Sequence, residues 1–319
     1  MSGNKSSGGR SGQLGRSEAK SGLLLISPTA IFALLLLAAP LATIIAYSFM
    51  ADGYLTIIPQ FQICNYIGTC SSYEMKDGVL TAAKEYKGVF SDPLAQTLLV
   101  RSLGVSMMVT LVTVVLAFPV AYFVSFHVGP DRKSLWLFLI TIPFWTSYLV
   151  RVFLWKVILG YNGVINSALL GIGIIDEPIT ALNYNVGAII TTLAHAYAPF
   201  AILPIFVALE KIDRSFLEAG QDLGESAFNT FRRVTLPLAM PGVISATLIV
   251  FIPTVGDYVT PNLVGGPEGK LVANLIQLQY MKLDNYPLGS ATAVSAMLLV
   301  AIVSLIFLFL TRRYLRGPK

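Results

Sequence analysis

The chain has 319 residues, of which 55% are hydrophobic and only 12% charged, with a mean hydropathy of +0.71. A soluble domain of this size carries about twice that charged fraction, so the composition excludes an ordinary water-soluble globule. The net charge of +5 gathers into no basic stripe, which excludes a nucleic-acid partner.

In chain order, residues 1–20 are rich in Gly and Ser and carry Lys5, Arg10, Arg16 and Lys20. Such a segment cannot bury a core and is expected to form a disordered cytoplasmic tail. The apolar run Leu23 to Phe49 is too long for the hydrophobic region of a cleaved leader, so it is expected to stay as a first membrane helix. Together with the polar loop that follows, it makes a unit over 21–95. That loop, about 50–95, is the longest polar insertion, and it is expected to hold a small helical elaboration. It contains the only two cysteines, Cys64 and Cys70. Their spacing leaves both a local disulfide and two free thiols open.

Apolar runs long enough to cross a bilayer as helix, roughly 20 residues, recur near 22–49, 97–126, 135–159, 185–209, 237–255 and 289–311. They do not alternate in the short segments of a β-barrel. The expected fold is therefore an all-α polytopic membrane protein with six transmembrane helices. On one side, the N-tail, 127–134, 210–236 and 312–319 hold 14 basic and 7 acidic residues, against 8 and 10 on the other. That asymmetry puts both termini and the short tail 312–319 in the cytoplasm.

In the second span, Ser102, Ser106, Thr110 and Thr113 recur at near-helical spacing, which suits close helix packing and also a polar lining. Pro119, Pro143, Pro199, Pro204 and Pro253 predict bends. His195 stands in an apolar run without an acidic neighbour and is read as neutral and hydrogen-bonded. Within the outer segment 256–288, Leu271 to Met281 suits a re-entrant or surface-lying helix. Gly269-Lys270 lacks the spacing and the Ser or Thr of a phosphate-binding loop.

The loop 210–237 carries the chemistry of coupling. Asp213 or Ser215 can cap a helix beginning near Phe216, with Glu218 in its first turn. Gly220 and Gly224 permit a break, and a second helix over about 226–234 sets Phe228, Phe231 and Val234 on one face. Pro237 starts the next span, and Pro241-Gly242 is expected to loosen its beginning. The product is a cytoplasmic helix–turn–helix with apolar knobs suited to a groove on another protein.

Glu218-Ala219-Gly220, three residues, Gly224, nine residues, then Val234-Thr235-Leu236-Pro237 resembles the coupling loop of binding-protein-dependent ABC importer permeases. That family's pattern is Glu-Ala-Ala, three residues, Gly, nine residues, Ile-x-Leu-Pro, so the chain departs at Gly220 and Val234. The likeness covers 96–311, the five-helix core of the family, preceded here by one extra N-terminal helix. Ile142-Pro143-Phe144-Trp145-Thr146, Leu149-Val150-Arg151 and Gly256-Asp257-Tyr258-Val259-Thr260-Pro261 resemble the spermidine/putrescine branch. Branches that import opines, amino acids, iron or thiamine carry similar phrases.

The resemblance implies a bacterial inner-membrane machine of two permeases, a dimer of ATP-binding subunits and a periplasmic substrate-binding protein, with the second permease expected to be a different chain. ATP and Mg would be bound by the partner ATPase, and no cofactor, metal or catalytic residue is assigned to this chain. Glu218, Ala219, Gly220, Gly224, Phe228, Leu236 and Pro237 would dock the ATPase. For a cationic substrate, Asp257 with Tyr258 is the candidate anchor, and Trp145, Tyr148 and Trp155 are candidate cation–π partners. Arg151 and Lys156 would repel such a cation if they faced its path. An ion-gradient-driven secondary transporter would show inverted halves and carboxylates within its spans, and the sequence shows neither. A membrane enzyme would need clustered His, Asp, Glu or Cys at one face.

Overall fold

The computed structural model describes residues 10–53, 56–76 and 79–315. Among the described residues five helices are long and apolar enough to cross a membrane, or six crossings when one bent pair is counted as a span. The first, α1 (Arg10–Tyr47), leans on α12 (Tyr286–Leu315). It reaches back to Arg10, so 10–20 is helical where a disordered tail was expected, whereas 1–9 lies outside the described residues. Once the apolar run has nucleated a helix, extending it by a few turns costs little, even through Gly and Ser.

The outer loop corrects a second expectation, because its elaboration is β. A minimal pair, β1 (Ala51–Asp52) with β2 (Ile57–Ile58), precedes an antiparallel hairpin of β3 (Thr69–Lys76) and β4 (Val79–Lys87). The strands leave two residues between them, Asp77-Gly78, which lie outside the described residues. That dipeptide, flanked by residues such as Thr69, Tyr73, Val79 and Tyr86, is the strongest short-range sequence signal for a hairpin. Cys64 and Cys70 are joined as a disulfide, with their Cα atoms 5.4 Å apart, and this ties the base of the hairpin to the turn before it. Beneath it the buried Asn65 receives a hydrogen bond from Tyr86 and donates to the carbonyls of Ser48 and Met50. Burial beside Asp52 raises the Tyr86 phenol above its ordinary pKa.

α2 (Pro93–Phe126) starts at an Asp92 cap followed by Pro at the first turn, a preferred order for a helix start. Its hydroxyl row settles on packing. Ser102, Ser106, Thr110 and Thr113 are all buried, and three of them donate back to the helix carbonyl four residues earlier. The third span is broken: α3 (Pro130–Thr141) and α4 (Tyr148–Ile158) meet at 88° around a 3-10 turn containing Pro143. Outside, α5 (Val164–Gly171) follows. α6 (Val186–Glu210) keeps Pro199 and Pro204 within one continuous helix.

On the cytoplasmic side α7 (Ser215–Asp222) turns into α8 (Ala227–Thr230). A π turn at Phe231–Thr235 then joins α8 to α9 (Leu236–Val255). The second coupling helix and the fifth span are therefore one 29-residue rod, Ala227–Val255, although Pro237 was expected to start a separate element. Proline fits there because it falls in the first turn after the π insertion. Nor does Gly242 loosen anything. A Cβ at that position would sit 2.5 Å from the Pro204 carbonyl oxygen, so at Gly242 α9 presses directly on the backbone of α6. Small residues of this kind let helices approach in lipid, where packing replaces the hydrophobic drive.

The core sits where α2, α6 and α9 meet, around Val109, Ile189, Leu193, Ile205 and Val250. A second cluster joins the outer ends of α2, α9 and α12 to α11 (Val272–Met281) through Leu98, Phe251, Leu275 and Leu288. There the backbone N–H of Val272 donates to Ser102 Oγ at 2.7 Å, so one of the α2 hydroxyls caps α11.

Candidate functional site

The coupling segment is assembled from its own local chemistry. Asp213 accepts the Ser215 backbone N–H at 3.0 Å and opens α7, and that bond holds the exposed Asp213 carboxyl below its ordinary pKa. α7 closes with the Glu225 N–H donating to the Gly220 carbonyl at 3.1 Å, across Gly224 at φ +79°. This is the six-to-one bond of a Schellman ending, in which glycine supplies the left-handed residue. A Cβ at 224 would meet nothing within 4 Å, so backbone conformation alone demands glycine there. Ser226 then caps α8 by accepting the Asn229 N–H, and Arg233 closes an ion pair with Glu225 at 2.5 Å.

Glu218 and Ala219 are exposed on α7, and Gly220 faces Thr230 of α8. Phe216, Leu223 and Phe228 stand out with 57, 84 and 69% of their surface free. Such apolar knobs on a polar loop mark a contact surface. Phe231, expected beside Phe228, instead turns inward and packs edge-on against Phe118 and Tyr122 of α2. The π turn adds a residue to the helical repeat and divides the two aromatics between outside and inside. Leu236 and Pro237 are half-buried at the base of the rod.

A ring of polar contacts that sequence reasoning did not anticipate ties this element to the bundle. Glu210, at the end of α6, accepts Lys133 at 2.6 Å and Ser125 Oγ at 2.7 Å. Arg214 donates to the Ser125 carbonyl and stacks over Phe126. The ends of α2, α3 and α6 are thereby joined to the start of α7. Only the basic and acidic residues on either side of the spans signal this in the sequence, and they do not reveal their pairing.

On the outer side, part of the predicted constellation comes together. Tyr148 donates its hydroxyl hydrogen bond to Asp257 Oδ2 at 2.8 Å and lies 2.7 Å from Thr260 Oγ1. Asp257 Oδ1 accepts the N–H groups of Val259 and Thr260, at the start of α10 (Val259–Val264). Asp257 is 8% exposed, and both its oxygens are engaged. Thr260 and Asn274, which donates to the Tyr258 carbonyl, complete this cluster without having been foreseen.

The remaining aromatics go elsewhere. Trp145 is 81% exposed at the end of the 3-10 turn, and Tyr258 is 42% exposed. Trp155 donates its indole N–H to His195 Nδ1 at 3.1 Å. Arg151 donates to the Ala196 carbonyl and lies 6.0 Å from the Tyr148 ring centre.

Comparison with known proteins places this architecture. Residues 78–316 match the family described as binding-protein-dependent transport system inner membrane component. The chain is 38% identical over 224 residues to the spermidine/putrescine transport system permease protein PotB of Haemophilus influenzae, covering 70% of this chain and 77% of that one. The PotB protein of Escherichia coli is 35% identical over 216 residues, covering 68% and 78%. Among solved structures, a bacterial ABC transporter involved in alginate import superposes with a TM-score of 0.67 over 94% of this chain and 99% of its own, at 15% identity. The MetNI methionine ABC transporter does so with a TM-score of 0.53 over 70% and 100%, at 18% identity. These last two establish the fold alone. With its bent third span, its core of α2, α6 and α9 and its cytoplasmic helix–turn–helix, the chain belongs to the family of binding-protein-dependent transport system inner membrane components and is a multi-pass permease subunit of the inner membrane.

Proposed function

We propose that this chain is one permease of an ABC importer for a polyamine such as spermidine or putrescine, moved by ATP that a separate subunit hydrolyses. The observation that carries the coupling half is the capped helix–turn–helix around Gly224. Its apolar side chains Phe216, Leu223 and Phe228 point away from the protein. A cleft on an ATPase dimer that accepts α7 would cover them. Because Arg214, Ser125, Glu210 and Lys133 lock α7 to three spans, a push on α7 would tilt those spans as a body. Nucleotide would then bias two bundle arrangements against each other.

The polyamine reading is supported by identity to the PotB proteins. Asp257 acts on this reading as the fixed end of an outer gate through Tyr148 and Thr260, while the exposed rings of Trp145 and Tyr258 meet the solute. A second permease would supply the other wall of the path, and a periplasmic binding protein would deliver the solute.

The test is reconstitution of the chain with the permease, ATPase and binding protein that copurify with it. Accumulation of labelled spermidine in liposomes should require both ATP and the binding protein. Uptake driven by a proton or sodium gradient without ATP would overturn the coupling half. ATP-driven uptake of another solute, with spermidine ignored, would overturn the substrate half alone.

A further inference from the structure

Three basic residues stand on the outer side, where the charge asymmetry of a membrane protein does not call for them: Arg101 near the start of α2, Lys270 before α11 and Lys282 just after it. They are distant in sequence, yet all three line one cavity of about 750 Å³ between α2, α10 and α11. Arg101 is oriented by donating to the Glu268 carbonyl at 2.6 Å. Lys270 donates to Asn262 Oδ1 at 2.7 Å, and Asn262 is itself held by Gln277 at 2.8 Å. Among the described residues the only ion pairs are Lys133–Glu210 and Arg233–Glu225, both on the cytoplasmic side. Three cations therefore converge without a carboxylate within ion-pair distance.

The rest of the wall mixes the polar Asn262, Asn274 and Gln277 with apolar side chains. Leu94, Leu278 and Met281 are exposed by 56, 38 and 70%, over a floor that includes the buried Leu98 and Leu275. The depth follows from helix length. α2 has 34 residues, about 51 Å at 1.5 Å each, against a hydrocarbon layer of about 30 Å. Its inner end is held at the cytoplasmic boundary by the contacts of Ser125 with Glu210 and Arg214, so the excess emerges on the outer side. Arg101 therefore stands level with the outer headgroups, and Leu94, seven residues nearer the outer end of α2, lies about 10 Å further out.

An anion anchored at headgroup depth by its own apolar tail suits these three cations and their amide neighbours. We propose that this cavity binds the phosphodiester headgroup of an anionic phospholipid of the outer leaflet. Arg101, Lys270 and Lys282 take the phosphate, and the acyl chains run inward from it to the hydrocarbon layer. Basic pockets between membrane helices capture such headgroups by charge-assisted hydrogen bonds in a region that water screens only partly. The site is independent of which solute the permease carries.

The experiment places a photocrosslinking phenylalanine analogue at position 281 of the full transporter, in vesicles of equal phosphatidylglycerol and phosphatidylcholine. Lipid adducts are then counted by mass spectrometry. The parent should prefer phosphatidylglycerol by roughly 100-fold, about fivefold for each of three cations. The double change Lys270→Gln and Lys282→Gln should lower the ratio to about fivefold, the share left to Arg101, while Lys270→Arg with Lys282→Arg keeps the preference and shows that charge, not folding, is read out. Equal adducts in the parent, or an adduct dominated by a neighbouring protein, would overturn the proposal. Loss of the preference on adding inorganic phosphate would assign the cavity to a soluble anion and overturn the lipid source.

Discussion

The outer cluster around Asp257 and the cytoplasmic turn around Gly224 are both polar breaks between apolar spans, and they are finished in opposite ways. At Asp257 every acceptor meets a donor within the chain: Tyr148, Val259 and Thr260. Around Gly224 the backbone is completed internally, but Leu223 and Phe228 are left 84 and 69% exposed. A buried polar group without a partner is costly, so a cluster that closes on itself serves the fold. On the reading proposed above, a rigid turn that presents apolar side chains serves a partner outside the chain. The difference separates a residue that holds the molecule together from one that addresses a partner, even though both sit in short motifs that resemble one family.

The sharpest way to break this comparison is Gly224→Phe. A left-handed backbone costs a residue with a Cβ about 1–2 kcal/mol, and the ring would occupy the space a partner needs. ATP-driven uptake and copurification of the ATPase should both be lost, while membrane insertion persists and the melting temperature of the chain in detergent falls by only a few degrees. Normal uptake by this variant would remove the turn from coupling.

Asp257→Ala should do the reverse. It leaves the Tyr148 hydroxyl and the N–H groups of α10 unsatisfied, at about 1–3 kcal/mol for an orphaned buried group. The melting temperature should fall while ATPase copurification persists. An unchanged melting temperature, with only the uptake kinetics altered, would make Asp257 a solute contact instead.

Cys64→Ser should cost the outer hairpin about 2 kcal/mol for so short a loop. The effect is expected as faster hydrogen exchange over 69–76 and 79–87, with the spans protected as before. Exchange that spreads into α2 would show that the hairpin supports the bundle.

The smallest expected effect on stability is the most discriminating. Phe228→Ala removes a side chain that touches little, so stability should stay within about 0.5 kcal/mol. Affinity for the ATPase, measured by titration in nanodiscs, should drop about tenfold, as for an exposed aromatic anchor. Equal affinity would mean that the knobs are lipid-facing decoration.

Legibility differed by element for physical reasons. The coupling loop could be read closely because its signals are local: an Asp cap, glycine at a left-handed position and a Ser cap act on neighbours in sequence. The hairpin was misread although Asp77-Gly78 announced it, because a run with polar residues at both strand faces gives no clear period. The division of Phe228 from Phe231 was invisible, since it depends on a π turn that only packing against Phe118 and Tyr122 selects. Asp257 was found as a candidate, but its partners Tyr148 and Thr260 come from other elements, one of them 109 residues away.

The sequence by itself determined how many times the chain crosses the membrane, which side each connection faces and where the cytoplasmic turn lies. Transfer from water to lipid, charge asymmetry and glycine conformation are all written residue by residue. Tertiary structure alone decided which apolar helix is core and which is rim. In α1 none of the most apolar stretch is buried, and in α6 56% is, although both are apolar enough to span. Lipid and protein interior are equally apolar solvents, so hydropathy cannot tell them apart. The choice falls to close approach at positions such as Gly242 and to hydroxyls that find partners across helices, as Ser102 does.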